Sequence, residues 1–357
     1  MKYYKYIFTA ALIFVSGLTG CMKDENIKLP YDGFVPAQLS DGWEISTPAD
    51  EGFDQSEIDR AYERLFSESL YPAAHSMLVI RNGKLVSEAY CRDKEDRDMF
   101  HNIQSATKSI TSILTGIAID RGFIESVNDP VYHYIPEYFD GNVRKRDITI
   151  HHVLTMETGL YFDNDEHTAE FFHSQGSSLE YVLHKELTFS PGSDWYYTDG
   201  NPQLLSGIIQ KVTGKTEEEF AEEYLFGPLG IEHYQWEKHH DGLTFGAVGL
   251  WLRPRDMAKI GQMMLQDGLW NGERILSAEW IAESVKLQTT HQTYGYYWYP
   301  WDEKEAYYAS GHGGQLIYIA PDKQLVVVFT ADSYSNVAEL SSYFYQLFNI
   351  VYDAVID

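Results

Sequence analysis

The sequence predicts an α+β fold: one antiparallel β-sheet built from both chain termini and flanked by helices, with a large, mainly helical lobe inserted between them. Three observations predict it. Residues 76–90 hold two β-rich runs joined through Asn82-Gly83, and Asn-Gly supplies the two positive φ values that a type I′ hairpin turn needs. Residues 315–321 and 324–331 are a second pair of β-rich runs, joined through Pro321-Asp322-Lys323 and followed by a helical stripe over 337–355. The stretch between, roughly 105–290, reads as mostly helical, without repeats or low-complexity tracts. Such a lobe beside a sheet leaves a cleft, the default place for a ligand.

The elements follow in chain order. Residues 1–20 carry Lys2 and Lys5 and then an apolar stretch over 6–15, the pattern of a secretory signal peptide. Leu18-Thr19-Gly20-Cys21 resembles the bacterial lipobox, which implies a lipid on Cys21, a mature chain that starts there, and a place in the cell envelope. Met22-Lys23-Asp24-Glu25-Asn26 is similar to a short signal that sends some lipoproteins to the cell surface, so periplasmic and surface faces of the outer membrane both stay open. Residues 21–45 read as a tether. The folded domain is then 46–357, with a sheet lobe at about 46–104 and 290–357 and a helical lobe at about 105–289. Its first helix has apolar positions Ile58, Ala61, Tyr62, Leu65 and Phe66, with Asp54 as N-cap.

Composition bounds the function. The 357 residues hold 27 Lys+Arg against 53 Asp+Glu, a net charge of −26, which argues against nucleic acid or an anionic membrane as a partner through the net field. Membrane contact is expected through the lipid on Cys21 only. With Cys21 lipidated, Cys91 is the one cysteine left, so no internal disulfide is expected and a packed thiol is the simpler reading.

The chemistry is carried by three short motifs in order. Ser105-Ala106-Thr107-Lys108 opens a helix with apolar positions Ile110, Ile113, Leu114, Ile117 and Ala118, which puts a hydroxyl and an amine on one face near the helix start. Tyr197-Thr198-Asp199 follows about ninety residues on, and His312-Gly313-Gly314 stands just before the strand that begins at Gln315. Together these resemble the serine β-lactamase and penicillin-binding-protein superfamily, specifically the class C β-lactamase-like branch with its esterases, D-amino-acid peptidases and amide-oligomer hydrolases. The stretches 148–160, 227–231 and 254–258 are similar to the branch as well, so the resemblance covers roughly residues 45–350.

The resemblance implies a β-lactamase/transpeptidase-like fold and an acyl-enzyme mechanism on a small ester, amide or peptide. Ser105 would be the nucleophile, Lys108 and Tyr197 would share its proton, and His312 would line the opposite wall and donate to the substrate or to Tyr197. The backbone N–H groups of Ser105 and Gln315 would form the oxyanion hole, and Asp199, Gly313 and Gly314 would contact substrate. Asp199 stands where the branch has Asn; it either faces Lys108, favouring the ammonium and shifting the base role toward Tyr197, or turns away to cap a turn with Gly200. His312 in place of lysine offers less charge to a substrate carboxylate and tilts the reading from β-lactamase toward esterase, amidase or peptidase. Arg253 could replace that charge if it reached the cleft. A β-lactamase or D,D-peptidase proper, or a penicillin-binding sensor without turnover, is the alternative.

No cofactor is expected and no metal is assigned. Adjacent histidines at 151–152 and 239–240 lack any ligand-set spacing, and Thr213-Gly214-Lys215-Thr216 lacks the first glycine of a phosphate-binding loop, since Ile209 stands there. Glu217-Glu218-Glu219 reads as a solvated helix face. The aromatic residues over 294–301 are either a rim to the cleft or ordinary packing.

Overall fold

In the computed structural model the described residues are 28–334 and 340–356. The signal segment, Cys21 and the residues up to Asn26 therefore lie outside them. In chain order the elements are α1 (Gln55–Ser67), β1 (Ala74–Arg81), β2 (Lys84–Tyr90), β3 (His101–Asn102), α2 (Thr107–Asp120), α3 (Val131–Tyr134), α4 (Ile150–Leu154), α5 (Asn164–His173) and α6 (Ser178–Leu183). They continue with α7 (Asn201–Thr213), α8 (Glu217–Ala221), α9 (Gly227–Leu229), β4 (Gln235–Trp236), β5 (Leu250–Leu252), α10 (Pro254–Leu265), β6 (Leu269–Trp270), β7 (Glu273–Arg274) and α11 (Ala278–Ser284). The chain closes with β8 (Tyr299–Trp301), β9 (Ala306–Gly311), β10 (Gln315–Ala320), β11 (Leu325–Ala331) and α12 (Leu340–Asp353).

The main sheet has the order β2-β1-β11-β10-β9-β8, so its centre is the pairing of the N-terminal β1 with the C-terminal β11. All of its ladders are antiparallel. Asn82 (φ 52°) and Gly83 (φ 80°) make the expected two-residue turn, with Arg81 opposite Lys84. Both faces of the central strands are apolar because both are covered. Leu325, Val327 and Phe329 of β11 face a core with Tyr62 of α1 and with Phe344 and Phe348 of α12. Val326 and Val328 face the other core, with Ile260 of α10 and the helical lobe. Asp54 caps α1 as expected, its carboxylate accepting from the Ser56 N–H.

Two boundaries differ from the sequence expectation. Residues 29–45 do not form a free tether: Leu29 N–H donates to the Cys91 carbonyl, Glu88 N–H to the Phe34 carbonyl and Leu85 N–H to that of Glu44, while Phe34 and Trp43 are buried. The segment thus covers the outer edge of β2, which would otherwise present unpaired backbone groups. Arg255 locks it there, donating to Asp41, to the Ala37 carbonyl and to both oxygens of Glu88. The second difference is α10, expected in the helical lobe but packed on the sheet. A Cβ on Gly261 would stand 2.7 Å from Val326 and 2.9 Å from Ile317, so glycine lets the helix lie close on β10 and β11.

Cys91 is a buried free thiol, pushed up to about 12 by burial, as a packed cysteine should be. Glu217 corrects the sequence reading: it is fully buried, and burial pushes its carboxyl up to about 7. The neighbouring hydroxyls of Thr111 and Ser206 donate to the Gly246 and Thr244 carbonyls, which leaves both Glu217 oxygens without a well-directed partner. Thr213-Gly214-Lys215-Thr216 is the link between α7 and α8, with Gly214 (φ 73°) ending one helix and Thr216 capping the next. Among the described residues no helix is long and apolar enough to cross a membrane.

Candidate active site

The nucleophile candidate is positioned by a strained turn. Gln104 adopts φ 51°, a left-handed value unusual for a residue with a side chain. It is held there from both ends, its N–H donating to Asn102 Oδ1 (2.9 Å) and its Nε2 to the Ser333 carbonyl (3.2 Å). The turn delivers Ser105 half-buried at the entrance to α2, while the helix behind it is almost wholly buried.

Lys108 is 1% exposed and donates three hydrogen bonds: to Ser105 Oγ (3.0 Å), Asp199 Oδ1 (2.6 Å) and the Ala247 carbonyl (3.3 Å). An ammonium has three N–H bonds, so this set engages all of them. The alternative left open for Asp199 is thereby resolved, since it faces Lys108. Its second oxygen accepts from Thr168 Oγ1 (3.1 Å), and its backbone N–H donates to Asn164 Oδ1 (2.8 Å). The Tyr197 ring lies 4.8 Å below the Lys108 ammonium. Burial first, and the Asp199 charge second, push the Tyr197 phenol well above its ordinary range, while hydrogen bonds with Ser105 and Tyr299 offset part of that.

These groups open onto a cleft of about 810 Å³ lined by Ser105, Tyr197, Asp199 and His312, with Asn164, Thr168, Phe172 and His173 from α5. The size suits a small organic ligand. Ser105, Lys108, Tyr197, Asp199 and His312 thus converge as the resemblance implied. The imidazole of His312 is exposed and stands on the opposite wall, and Tyr197 bonds to Tyr299 rather than to it.

Three expected residues do not reach the cleft. Gln315 is fully buried on β10, behind β9, and its side-chain amide exchanges hydrogen bonds with Ala331 (2.7 and 3.3 Å). Gly313 and Gly314 turn inward. A Cβ on Gly313 would stand 2.4 Å from the Asp332 carbonyl and one on Gly314 2.6 Å from Phe344, so they are glycines for turn geometry and packing, not for substrate contact. The strand nearest Ser105 is β9, where a Cβ on Gly311 would meet the Ile103 carbonyl at 2.0 Å. Arg253 is the N-cap residue of α10, donates to the Asp98 carbonyl (3.1 Å) and lines a different hollow.

Sequence reasoning missed Thr168 and Asn164 as partners of the site, and read Tyr299 only as one of the aromatic residues that rim the cleft or pack. A signal existed for the first two: Asn164, Thr168 and Phe172 recur every four residues, one face of a helix. The aromatic residues over 294–301 are mostly core. Tyr294, Tyr296, Tyr297 and Trp298 are buried, and Tyr299 supports Tyr197 from behind.

The family model described as Beta-lactamase matches residues 72–346. A candidate D-alanyl-D-alanine carboxypeptidase of Salmonella enteritidis PT4 is 22% identical over 323 residues, 71% of this chain and 74% of that protein. The 6-aminohexanoate-dimer hydrolase of Paenarthrobacter ureafaciens is 27% identical over 229 residues, 59% of this chain and 56% of that protein. A solved structure of a candidate 6-aminohexanoate-dimer hydrolase from Bacillus anthracis shares the fold, with TM-score 0.71 and 19% identity over 93% of this chain and 92% of that one.

Proposed function

The chain belongs to the Beta-lactamase family and is a serine hydrolase, and from that premise we propose that it forms an acyl-enzyme on Ser105 and hydrolyses a small ester or amide, peptides included. The observation that carries this reading is Ser105 Oγ at 3.0 Å from Lys108 Nζ, on a strained turn that opens into the cleft.

Ser105 Oγ attacks the substrate carbonyl carbon, and the C=O pair moves onto oxygen. The backbone N–H groups of Ser105 and His312 receive that oxyanion. His312 replaces Gln315 in this role because it follows the last residue of β9 and lines the cleft. One such donor is worth about 2.7–4 kcal/mol in the transition state. The serine proton enters the hydrogen-bonded pair of Lys108 and Asp199, with the Tyr197 ring beside Lys108. Lys108 donates to both Ser105 Oγ (3.0 Å) and Asp199 Oδ1 (2.6 Å), so it passes one of its own protons to the Asp199 carboxylate and takes up that of Ser105 in its place, while Tyr197, its phenol pushed well up by burial, stays protonated. That proton is then returned to the leaving alcohol or amine as its bond to carbon breaks. Water repeats the sequence on the ester of Ser105, releasing the acid and the free hydroxyl.

The cleft favours a substrate without a carboxylate beside the scissile bond. Among the lining residues the lysine is Lys238, which is paired with Glu218 (2.6 Å). A neutral acyl or amine group fits this better than a β-lactam or a peptidoglycan stem. The lipobox-like Leu18-Thr19-Gly20-Cys21 supports anchoring in the cell envelope through a lipid on Cys21. Replacement by serine should release the protein from membranes, and retention of Cys21→Ser in the membrane fraction would overturn the anchor.

The test of the activity is mass spectrometry after incubation with a fluorophosphonate and, in parallel, with a penicillin. A phosphonate on Ser105, absent in Ser105→Ala, together with turnover of nitrophenyl esters or anilides, is expected. A stable penicilloyl adduct would favour a penicillin-binding protein, hydrolysed penicillin a β-lactamase, and neither adduct nor turnover would refute the reading.

A further inference from the structure

Away from the cleft, His75 at the start of β1, Asp96 in the link between β2 and β3, and His101 on β3 bring one ligand atom each to within 4.8 Å of the others. Asp96 Oδ2 accepts from the Asp93 N–H (3.2 Å), which leaves Oδ1 to face His75. His101 Nε2 lies 3.1 Å from the Asp96 carbonyl, which can only accept, so Nε2 carries the proton and Nδ1 keeps its lone pair. A histidine that donates its other ring N–H to a backbone carbonyl is the usual support of a metal ligand. His75 Nδ1 lies 3.1 Å from Asp96 Oδ1, yet it is buried without a hydrogen-bond partner because the N–H direction misses the oxygen. Two ligands of one tetrahedral ion stand in the same relation: bonds of roughly 2.0–2.1 Å put the ligand atoms roughly 3.3 Å apart, with the lone pair aimed between them.

We propose that His75, Asp96 and His101 form a binding site for one divalent transition-metal ion of the zinc type, with water in the fourth position. Two imidazoles and one carboxylate select such an ion over magnesium or calcium, which prefer oxygen. Arg92 is the neighbour that opposes it, its Nη1 3.5 Å from His75 Nε2. It is half-buried and must swing toward solvent when His75 coordinates through Nδ1. The bound ion would pin the link between β2 and β3 against β1. His101 is four residues ahead of Ser105, so the ion would brace the segment that leads into the nucleophile turn without touching the reacting atoms. No sequence motif announced the site, because its ligands come from three elements and are 21 and 5 residues apart.

The experiment is a Co²⁺ titration of the chain purified without a histidine tag and stripped with EDTA, followed by displacement with Zn²⁺. The expected result is one equivalent of Co²⁺ with the intense visible band of a four-coordinate site, lost on adding Zn²⁺, and a rise in Tm on Zn²⁺ binding. His75→Gln and Asp96→Asn should each weaken Co²⁺ binding by at least tenfold, while fluorophosphonate labelling of Ser105 continues. His101→Ala is the stronger deletion. Should it fail to fold, His75→Gln decides, since His75 is the most exposed of the three. No saturable Co²⁺ uptake by the unaltered chain, or uptake undiminished in both His75→Gln and Asp96→Asn, would overturn the proposal.

Discussion

On the helical wall of the cleft the polar atoms around the nucleophile are engaged: Lys108 holds Ser105, Asp199 and the Ala247 carbonyl, and Asp199 holds Lys108 and Thr168. On the sheet wall His312 stands exposed in the turn after β9, and Tyr334 beside it is 70% exposed. The difference separates two demands on one site. Proton transfer needs groups fixed within hydrogen-bond reach in a low-dielectric setting, whereas recognition needs a face that a substrate can cover. Substitutions on the helical wall should therefore cost rate and stability together, and those on the sheet wall should change affinity.

The largest expected effect is that of Ser105→Ala, a fall in kcat of roughly 10⁴–10⁶-fold with the fold unchanged, read from ester turnover and circular dichroism. Activity retained in that variant would move the nucleophile elsewhere. Asp199→Asn sharpens the comparison: kcat should fall by roughly 10²–10⁴-fold with KM nearly constant if the carboxylate takes up the proton that Lys108 passes on. Unchanged kcat would leave Asp199 as a positioning residue. Asp199→Ala, which leaves a buried ammonium without its counter-ion, should also lower stability by about 3–5 kcal/mol in urea unfolding.

Glu217 is a buried acid on the helical side with no cation partner among the described residues. Its folded-state value of about 7 lies above the ordinary 4.5, so the native state keeps a proton that the unfolded state releases in between. The associated stability is fully present below about pH 4.5 and is lost as the pH rises through about 7. Glu217→Gln should remove that decline and raise stability at pH 8 by about 3 kcal/mol, measured as the pH dependence of urea midpoints. A wild-type stability that does not fall between pH 5 and 8 would contradict the burial argument. The smallest effect is expected on the sheet wall, where His312→Ala keeps the backbone N–H and should raise KM by about tenfold or less while kcat stays close to wild type.

Much of the fold was legible because its signals are local. Asn82-Gly83, the β-rich run at residues 324–331 and the Asp54 cap each depend on a few neighbouring residues. The site was legible in its residue types and their order, and less so in direction. His312-Gly313-Gly314 was read as one contact surface, but the turn sends His312 outward and both glycines inward against Asp332 and Phe344. The expected tether was misread for a related reason. Its prolines and glycines suggest a spacer, and the residues that anchor it, Glu88 and Arg255, are far away in the chain.

By itself, then, the sequence determined what short-range chemistry dictates: the hairpin, the caps, the sheet built from both termini, and the order of serine, lysine, tyrosine and histidine. Only the tertiary structure decided that Asp199 meets Lys108 across 91 residues, that Glu217 is buried among hydroxyls already committed elsewhere, and that His75, Asp96 and His101 share a corner. The physical reason is that burial and charge pairing are properties of surfaces brought together from distant parts of the chain. A residue's type sets what it can do, and its neighbours in space set whether it does so.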